Sequence, residues 1–511
     1  MASNKVRARG RLSPPSINRS KKLAINTNSS NVATRENRIG SITGYIGNLK
    51  DLAEQTECGN LKGCSRCFSQ SSTCLSSCGL SQLAAIRDVA IIHHGPAGCS
   101  VATAGNYYLN KVMAKKRGVT TSTVYVGTDM NEKDTIFGST NDLRKIILEV
   151  NRRYSPKAIF VSSSCATGII GEDIDSVVDE VKEEIDVPVV AVHCEGFKSR
   201  IWATGFDIAD HAVLSSIVQP PREGIKSNKI NFKNFYESAR PEIIEIFKNF
   251  DLDPVFLYCN STVEELSHIS ESLATTCICG TLGNYLGNGL EEKYGVPYVR
   301  SINQCGIVGF ESWLREIGRV TGRSEKIEKY IAEQRAIYIP QIEEIKKELK
   351  GLRAVIGMGP GYTFEVSRVL NELGIEVVWA LAWHYDKKYE NGDVPPSMKY
   401  LLENNINFEA SVSDQQNYEV MNILHKFKPD LYLSRHPGST VWAIKNGTSA
   451  VYVADEYMIF GYKHTLEFAK SILDSIRNRS FEQNLASRVK LPYTDWWYQQ
   501  NVDEFFEKTN K

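Results

Sequence analysis

Neither sign of charge dominates this sequence: 60 Lys and Arg residues balance 60 Asp and Glu residues over 511 positions. Such a balance removes the electrostatic case for nucleic acid or an anionic membrane as the main partner. Long apolar runs are missing as well. No stretch approaches the roughly 18 uninterrupted apolar residues of a membrane span, and no secretory pattern opens the sequence, so a cytoplasmic location with no membrane partner is expected. A phosphate loop of the form Gly-x-x-x-x-Gly-Lys-Ser/Thr is also absent. The turn GMGPG at 357–361 has the glycines without the lysine, so no ATP is expected to be bound by this chain.

What is present is a large globular chain, 42% hydrophobic, with length for about three domains. Residues 1–50 open with many Lys and Arg among Ser, Asn and Pro, and the first acid is Glu36; they read as a flexible basic tail. Short β-branched runs then recur at 88–94, 157–164, 187–193, 253–259, 353–359, 375–382, 429–434 and 449–454. Most precede a helical period, as at 171–185, 262–273 and 364–373, which predicts parallel sheets covered by helices. The units group into a cysteine-rich α/β domain at 51–225, a middle one at 226–345 and a third at 346–480, followed by a C-terminal segment at 481–511. A Lys/Glu-rich helix at 324–350 bridges the last two domains.

The cysteines carry the chemistry. Seven of the twelve lie in the first third, at 58, 64, 67, 74, 78, 99 and 165; in a reducing compartment such a density points to metal or cluster ligation. Open parallel sheets bind ligands beyond the C-terminal ends of their strands. Cys99 ends the loop HHGPAGC after one strand, Cys165 follows another directly, and Cys279 in TTCICGTLGNYLG precedes a helix. A thiolate at a helix N-terminus is favoured by the helix dipole and by free N–H groups. The alternative for each is a buried core cysteine. The glycines of Gly95-Pro96-Ala97-Gly98 favour close approach to a bulky inorganic ligand, and Cys74 or Cys78 would bring a third thiolate.

These residues resemble a known family. DVAIIHHGPAGC, TDMNEKDTIFGSTNDL, SSSCATGIIGEDI, HCEGF (193–197) and LGNGLEEKYGVPYV (286–299) are similar, in collinear order, to segments of the α-type chain of nitrogenase component 1; GIEVVWALAWHYD (374–386) and FKPDLYLS (427–434) extend the similarity. The resemblance implies three Rossmann-like open parallel α/β domains, with cluster sites between them and at a subunit interface. It implies Cys74, Cys99 and Cys165 as ligands of an interface iron–sulfur cluster, P-cluster-like or 4Fe-4S, and Cys279 as the anchor of a catalytic iron–sulfur cofactor of unknown heterometal. The implied partners are a β-type subunit in an α2β2 assembly, a homodimeric ATP-dependent iron protein and a small-molecule substrate.

Departures from the family accompany it. Ala454 stands where a histidine holds the far end of the cofactor; Asp455, Glu456 and His436 are the alternatives, with His436 the softer ligand. Trp202 and Phe206 replace a polar pair, and the arginine expected near GMGPG is missing. This wall suits a small, partly hydrophobic substrate, such as a thioether cleaved reductively, rather than dinitrogen. A cofactor-assembly scaffold and a true nitrogenase α chain are the alternatives. Cys58, Cys64 and Cys67 form C-x5-C-x2-C, read with Cys78 either as further cluster ligands or as a cysteine-rich segment with a zinc or none. His93 and His94 are expected to be structural, as are Cys194, Cys259 and Cys305. Cys277 is open between the two roles, and Trp496 and Trp497 read as packing anchors.

Overall fold

The computed structural model describes residues 25–505 apart from 28, 30, 65–73, 226, 236–237, 259, 389–393, 414–416 and 455. Its strands are β1 (Gly44–Asn48), β2 (Val89–His93), β3 (Val124–Gly127), β4 (Ala158–Ser162), β5 (Val189–Val192), β6 (Lys229–Lys233), β7 (Asp253–Leu257), β8 (Ala274–Cys277), β9 (Arg353–Met358), β10 (Glu376–Ala382), β11 (Glu409–Ser413), β12 (Leu431–Ser434) and β13 (Ser449–Tyr452). They form three sheets, ordered β3-β2-β4-β5, β7-β6-β8 and β1-β11-β10-β9-β12-β13. Every pairing is parallel except that of β1 with β11. The expected class of open parallel α/β sheets is what the chain adopts.

Each strand read from the sequence is present, and its apolar run has a physical reason. Val89 and Ile91 of β2 pack with Leu80, Leu83, Ile208 and Ala212, whereas Ala90 and Ile92 pack with Leu143, Ile147, Ile174 and Val178. Both faces are covered by helices, so alternation in polarity disappears. In the second sheet Phe232 of β6 meets Phe247, Phe256 and Trp313 at centroid distances of 4.9, 5.5 and 6.1 Å. The Trp313 indole N–H is satisfied by Thr276 Oγ1 at 2.8 Å. The expected charged helix runs over Ser324–Leu349. Among the described residues no helix is long and apolar enough to cross a membrane.

The basic segment 1–50 corrects one expectation. Residues 35–39 are helical, and β1 pairs antiparallel along the edge of the six-stranded sheet, Gly44 to Ser413 through Asn48 to Glu409. Arg35 is fully buried: its guanidinium meets Asp207 at 2.7 Å and Asp386 at 3.4 Å and donates to the Thr281 carbonyl at 2.6 Å. Burial opposes that charge, but Asp207 and Asp386 carry its pKa above the ordinary value. Its partners lie 172 and 351 residues away in the chain, so composition alone gives this cation the look of a tail.

Candidate metal centres

Three of the cysteines picked out by the sequence are brought together at the end of the four-stranded sheet. Cys74 is the N-cap of the helix Leu75–Leu83, Cys99 lies in the first turn of the helix Ala97–Thr103, and Cys165 opens the helix Cys165–Ile170. β2 and β4 are paired neighbours, so the loops that follow them emerge side by side. A methyl group added at Gly196 would stand 3.1 Å from the Cys165 sulfur and 3.2 Å from the Cys74 sulfur. The Gly196 N–H donates to Cys165 Sγ at 3.1 Å. Burial raises the pKa of the Cys99 thiol, and the neighbouring Cys165 and Cys74 add to the rise.

This trio is open to the outside. Cys74 and Cys99 are exposed and Cys165 is half-buried, and around them Val101, Leu109, Ile136, Phe137, Ile169 and Phe197 are all more than half exposed. So much bare apolar surface marks an interaction face. Among the described residues no three His, Cys, Asp or Glu side chains converge as the ligands of one metal ion do.

Gly95 is small because Ser164 lies there, 2.5 Å from where a Cβ would sit, and Gly98 faces open space. Of the adjoining histidines, His93 Nδ1 lies 3.1 Å from Ser162 Oγ and His94 Nδ1 lies 3.0 Å from Thr128 Oγ1. Cys78 is buried with Ile201, Ala203 and Phe206, and burial drives its thiol pKa far upward. Cys194 is buried against Ser162 at 3.1 Å. Cys58 ends the helix Leu49–Glu57, and the Cys64 N–H donates to the Gly44 carbonyl at 2.8 Å. These two belong to the β1 edge of the six-stranded sheet, not to the trio. Cys67, Cys259 and Asp455 lie outside the described residues.

The second centre is a cavity of about 800 Å³ lined by Cys279, Trp202, Phe206, Gly359, Gly361, Trp383, His384, Arg435 and His436, among others. Cys279 is 3% exposed and is the N-cap of the helix Gly280–Tyr294 that follows β8. The turn after β9 approaches it closely, because a Cβ on Gly361 would come 2.7 Å from its sulfur. The expected aromatic wall is there: Trp202 sits edge-on to Phe206 at 5.8 Å and tilted against Trp383 at 6.3 Å. His436 reaches the cavity from the end of β12, yet its Nδ1 accepts the Ser439 N–H at 3.2 Å as a helix cap.

Several groups here escaped the sequence reading. Arg435 places a guanidinium in the cavity, 4.4 Å over the Tyr362 ring; the cation missing from the turn after β9 is thus supplied from β12. His384 follows β10 and is 1% exposed, and burial lowers its pKa to about 4, so the ring is neutral. Behind the cavity residues Gln82 and Tyr258, Lys233 bridges Asp210 and Gln82, at 2.9 Å each, and lies 3.8 Å over the Tyr258 ring. Burial raises the Asp210 carboxyl to about 6 against the pull of Lys233. His384 and Arg435 do carry a signal in the sequence, each being a polar residue just past an apolar strand. Lys233 carries none, because β6 reads as a solvated KINFK.

Comparison with known proteins identifies the family. A family model described as "Nitrogenase component 1 type Oxidoreductase" matches residues 74–477. The chain belongs to that family. Among curated relatives, the nitrogenase molybdenum-iron protein alpha chain of Methanosarcina barkeri is 31% identical over 61% of this chain and 60% of its own length. That of Clostridium pasteurianum is 27% identical over 66% and 64%. The nitrogenase iron-molybdenum cofactor biosynthesis protein NifE of Methanococcus maripaludis is 28% identical over 68% of this chain and 71% of its own. The matched region thus spans less than two thirds of the first two relatives. A solved structure, nitrogenase Cp1 at pH 6.5, shares the fold with a TM-score of 0.65 at 20% identity, over 85% of this chain and 92% of that one. Within that family, the chain is similar both to nitrogenase molybdenum-iron protein alpha chains and to a cofactor biosynthesis protein.

Proposed function

We propose that this chain is the cofactor-bearing α-type subunit of an iron–sulfur reductase that cleaves a carbon–sulfur or similar bond of a small, partly apolar substrate. The observation that carries the reading is the cavity in which a buried cysteine faces an aromatic wall, Cys279 against Trp202, Phe206 and Trp383. A soft thiolate and neutral imidazoles suit an iron–sulfur group, and Gly361 leaves room for it against the sulfur. Cys279 would hold that group, and Cys74, Cys99 and Cys165 a second cluster at the apolar face, where a β-type subunit would complete the ligand set. When bound, such groups supply one-electron steps and a polarising metal surface for reductive cleavage.

The residues of the chain do the rest. Trp202, Phe206 and Trp383 exclude water and hold an apolar substituent. The Arg435 guanidinium steadies negative charge that gathers as electrons arrive. Lys233 and Asp210 hold a proton behind Tyr258 and Gln82, close to the cavity. Electrons would come from a separate ATP-dependent iron protein.

A scaffold role is the second reading, favoured by Ala454 standing where an anchoring histidine is expected and by the likeness to NifE. The test is turnover: the purified complex, given its iron protein and ATP, should release a thiol and a hydrocarbon from a methyl thioether and leave acetylene and dinitrogen unreduced. Transfer of its cofactor to a second apo-enzyme, without thioether turnover, would replace this reading with the scaffold, and dinitrogen reduction would replace it with a nitrogenase.

A further inference from the structure

We propose that His384 is a nitrogen ligand to the iron–sulfur group anchored by Cys279, taking the part for which Ala454 has no imidazole; the inference rests on the cofactor reading above. Its ring is 1% exposed, lines the same cavity as Cys279, and has neither nitrogen in a hydrogen bond among the described residues. A buried polar group left without a partner is destabilising, and the other cavity imidazole, His436, avoids this by capping a helix through Nδ1. His384 is also firmly held. Trp202 lies edge-on to it at 6.1 Å, and β10 ends two residues earlier.

A carboxylate lies behind the ring, beyond hydrogen-bond distance. His384 Nε2 is 3.9 Å from Asp386 Oδ1, and Asp386 accepts a hydrogen bond from Ser41 Oγ at 2.5 Å and lies 3.4 Å from Arg35. The negative charge on that side favours the ring proton at Nε2 and leaves the Nδ1 lone pair for iron. Arg35 also donates to Thr281, two residues past Cys279. One buried guanidinium thus ties together the chain segments that bear the thiolate and the imidazole. Coordination of a neutral imidazole adds a lone pair to iron and moves no electrons or protons.

The experiment uses the purified holo-complex and follows iron release to a chelator, together with the nitrogen couplings of the reduced complex grown with 15N-histidine. His384→Gln and His384→Leu are expected to release the cavity iron at least tenfold faster than the unaltered protein and to lose one imidazole coupling, while His268→Leu, at a histidine outside the cavity lining, keeps both properties. Iron retained at the interface thiols identifies a folded variant. Unaltered release from both His384 variants, or an imidazole coupling that survives in His384→Leu, overturns the proposal. Cys279→Ala separates the two claims: if it keeps all of its iron, the cofactor reading itself fails, whereas loss of cavity iron there with wild-type behaviour of the His384 variants removes only the histidine.

Discussion

The two thiol centres are built in opposite ways. Cys74, Cys99 and Cys165 stand at helix starts around one sheet, exposed or half-buried, with bare apolar side chains about them. Cys279 is buried in a cavity whose walls come from all three sheets: Trp202 and Phe206 from beyond β5, Cys279 from beyond β8, and His384, Arg435 and Gly361 from the six-stranded sheet. The first centre needs only one sheet to be in place. The second exists only when the three are docked, which is why the chain spends a buried ion-pair network on holding them.

The widest test of that contrast removes the tie. Arg35→Met leaves Asp207 and Asp386 buried, with Arg38, 2.7 Å from Asp207, as the one cation paired with them among the described residues. The expected cost is about 3 kcal/mol, seen as a lower thermal midpoint and faster proteolysis near residue 40, with the cavity centre impaired before the trio. Next, Gly361→Val drives a side chain into the Cys279 sulfur. Overpacking costs about 1–3 kcal/mol, and the expected result by elemental analysis is loss of the cavity iron with the interface iron retained. Equal loss at both centres would break the comparison.

A smaller effect is a pH slope. Asp210 has its folded pKa raised to about 6 by burial, above an unfolded value of about 3.9. The folded state therefore binds the proton more tightly. The associated stability is complete below the unfolded pKa and is lost as pH rises through 6. Denaturant midpoints measured between pH 4 and 7 should fall with pH, and Asp210→Asn should flatten that fall. Smallest in stability is Phe137→Asp on the apolar face: the residue is 84% exposed, so the midpoint should move by no more than about 0.5 kcal/mol. Assembly with the partner subunit, followed by gel filtration, should fail. An assembled complex would mean that this face is not the interface.

Much of the trio was legible in sequence because its signals are local. Cys99 and Cys165 each sit between a strand and a helix start, so the strand-end rule is enough to find them, whereas Cys74 has only its helix start. Trp202 and Phe206 were found through family register rather than periodicity. The strands β1, β6, β8 and β11 were missed because GYIGN, KINFK, ATTC and EASVS carry little apolar pattern; they become strands by pairing with neighbours that the sequence does not name, while β3 was missed although VYVG is strand-like. His384 looked like one more polar residue after an apolar run, and only its burial without a hydrogen-bond partner sets it apart.

By itself the sequence determined the class of fold, the alternation of strand and helix, and the order in which thiols meet strand ends, because these follow from patterns spanning a few residues. Tertiary structure alone decided which side chains share a cavity. Arg35 with Asp207 and Asp386, Lys233 with Asp210, and Arg435 and His384 with Cys279 are joined across tens to hundreds of residues. Such pairings depend on how three sheets dock, and the free energy of docking is a sum over many apolar contacts that no single segment encodes.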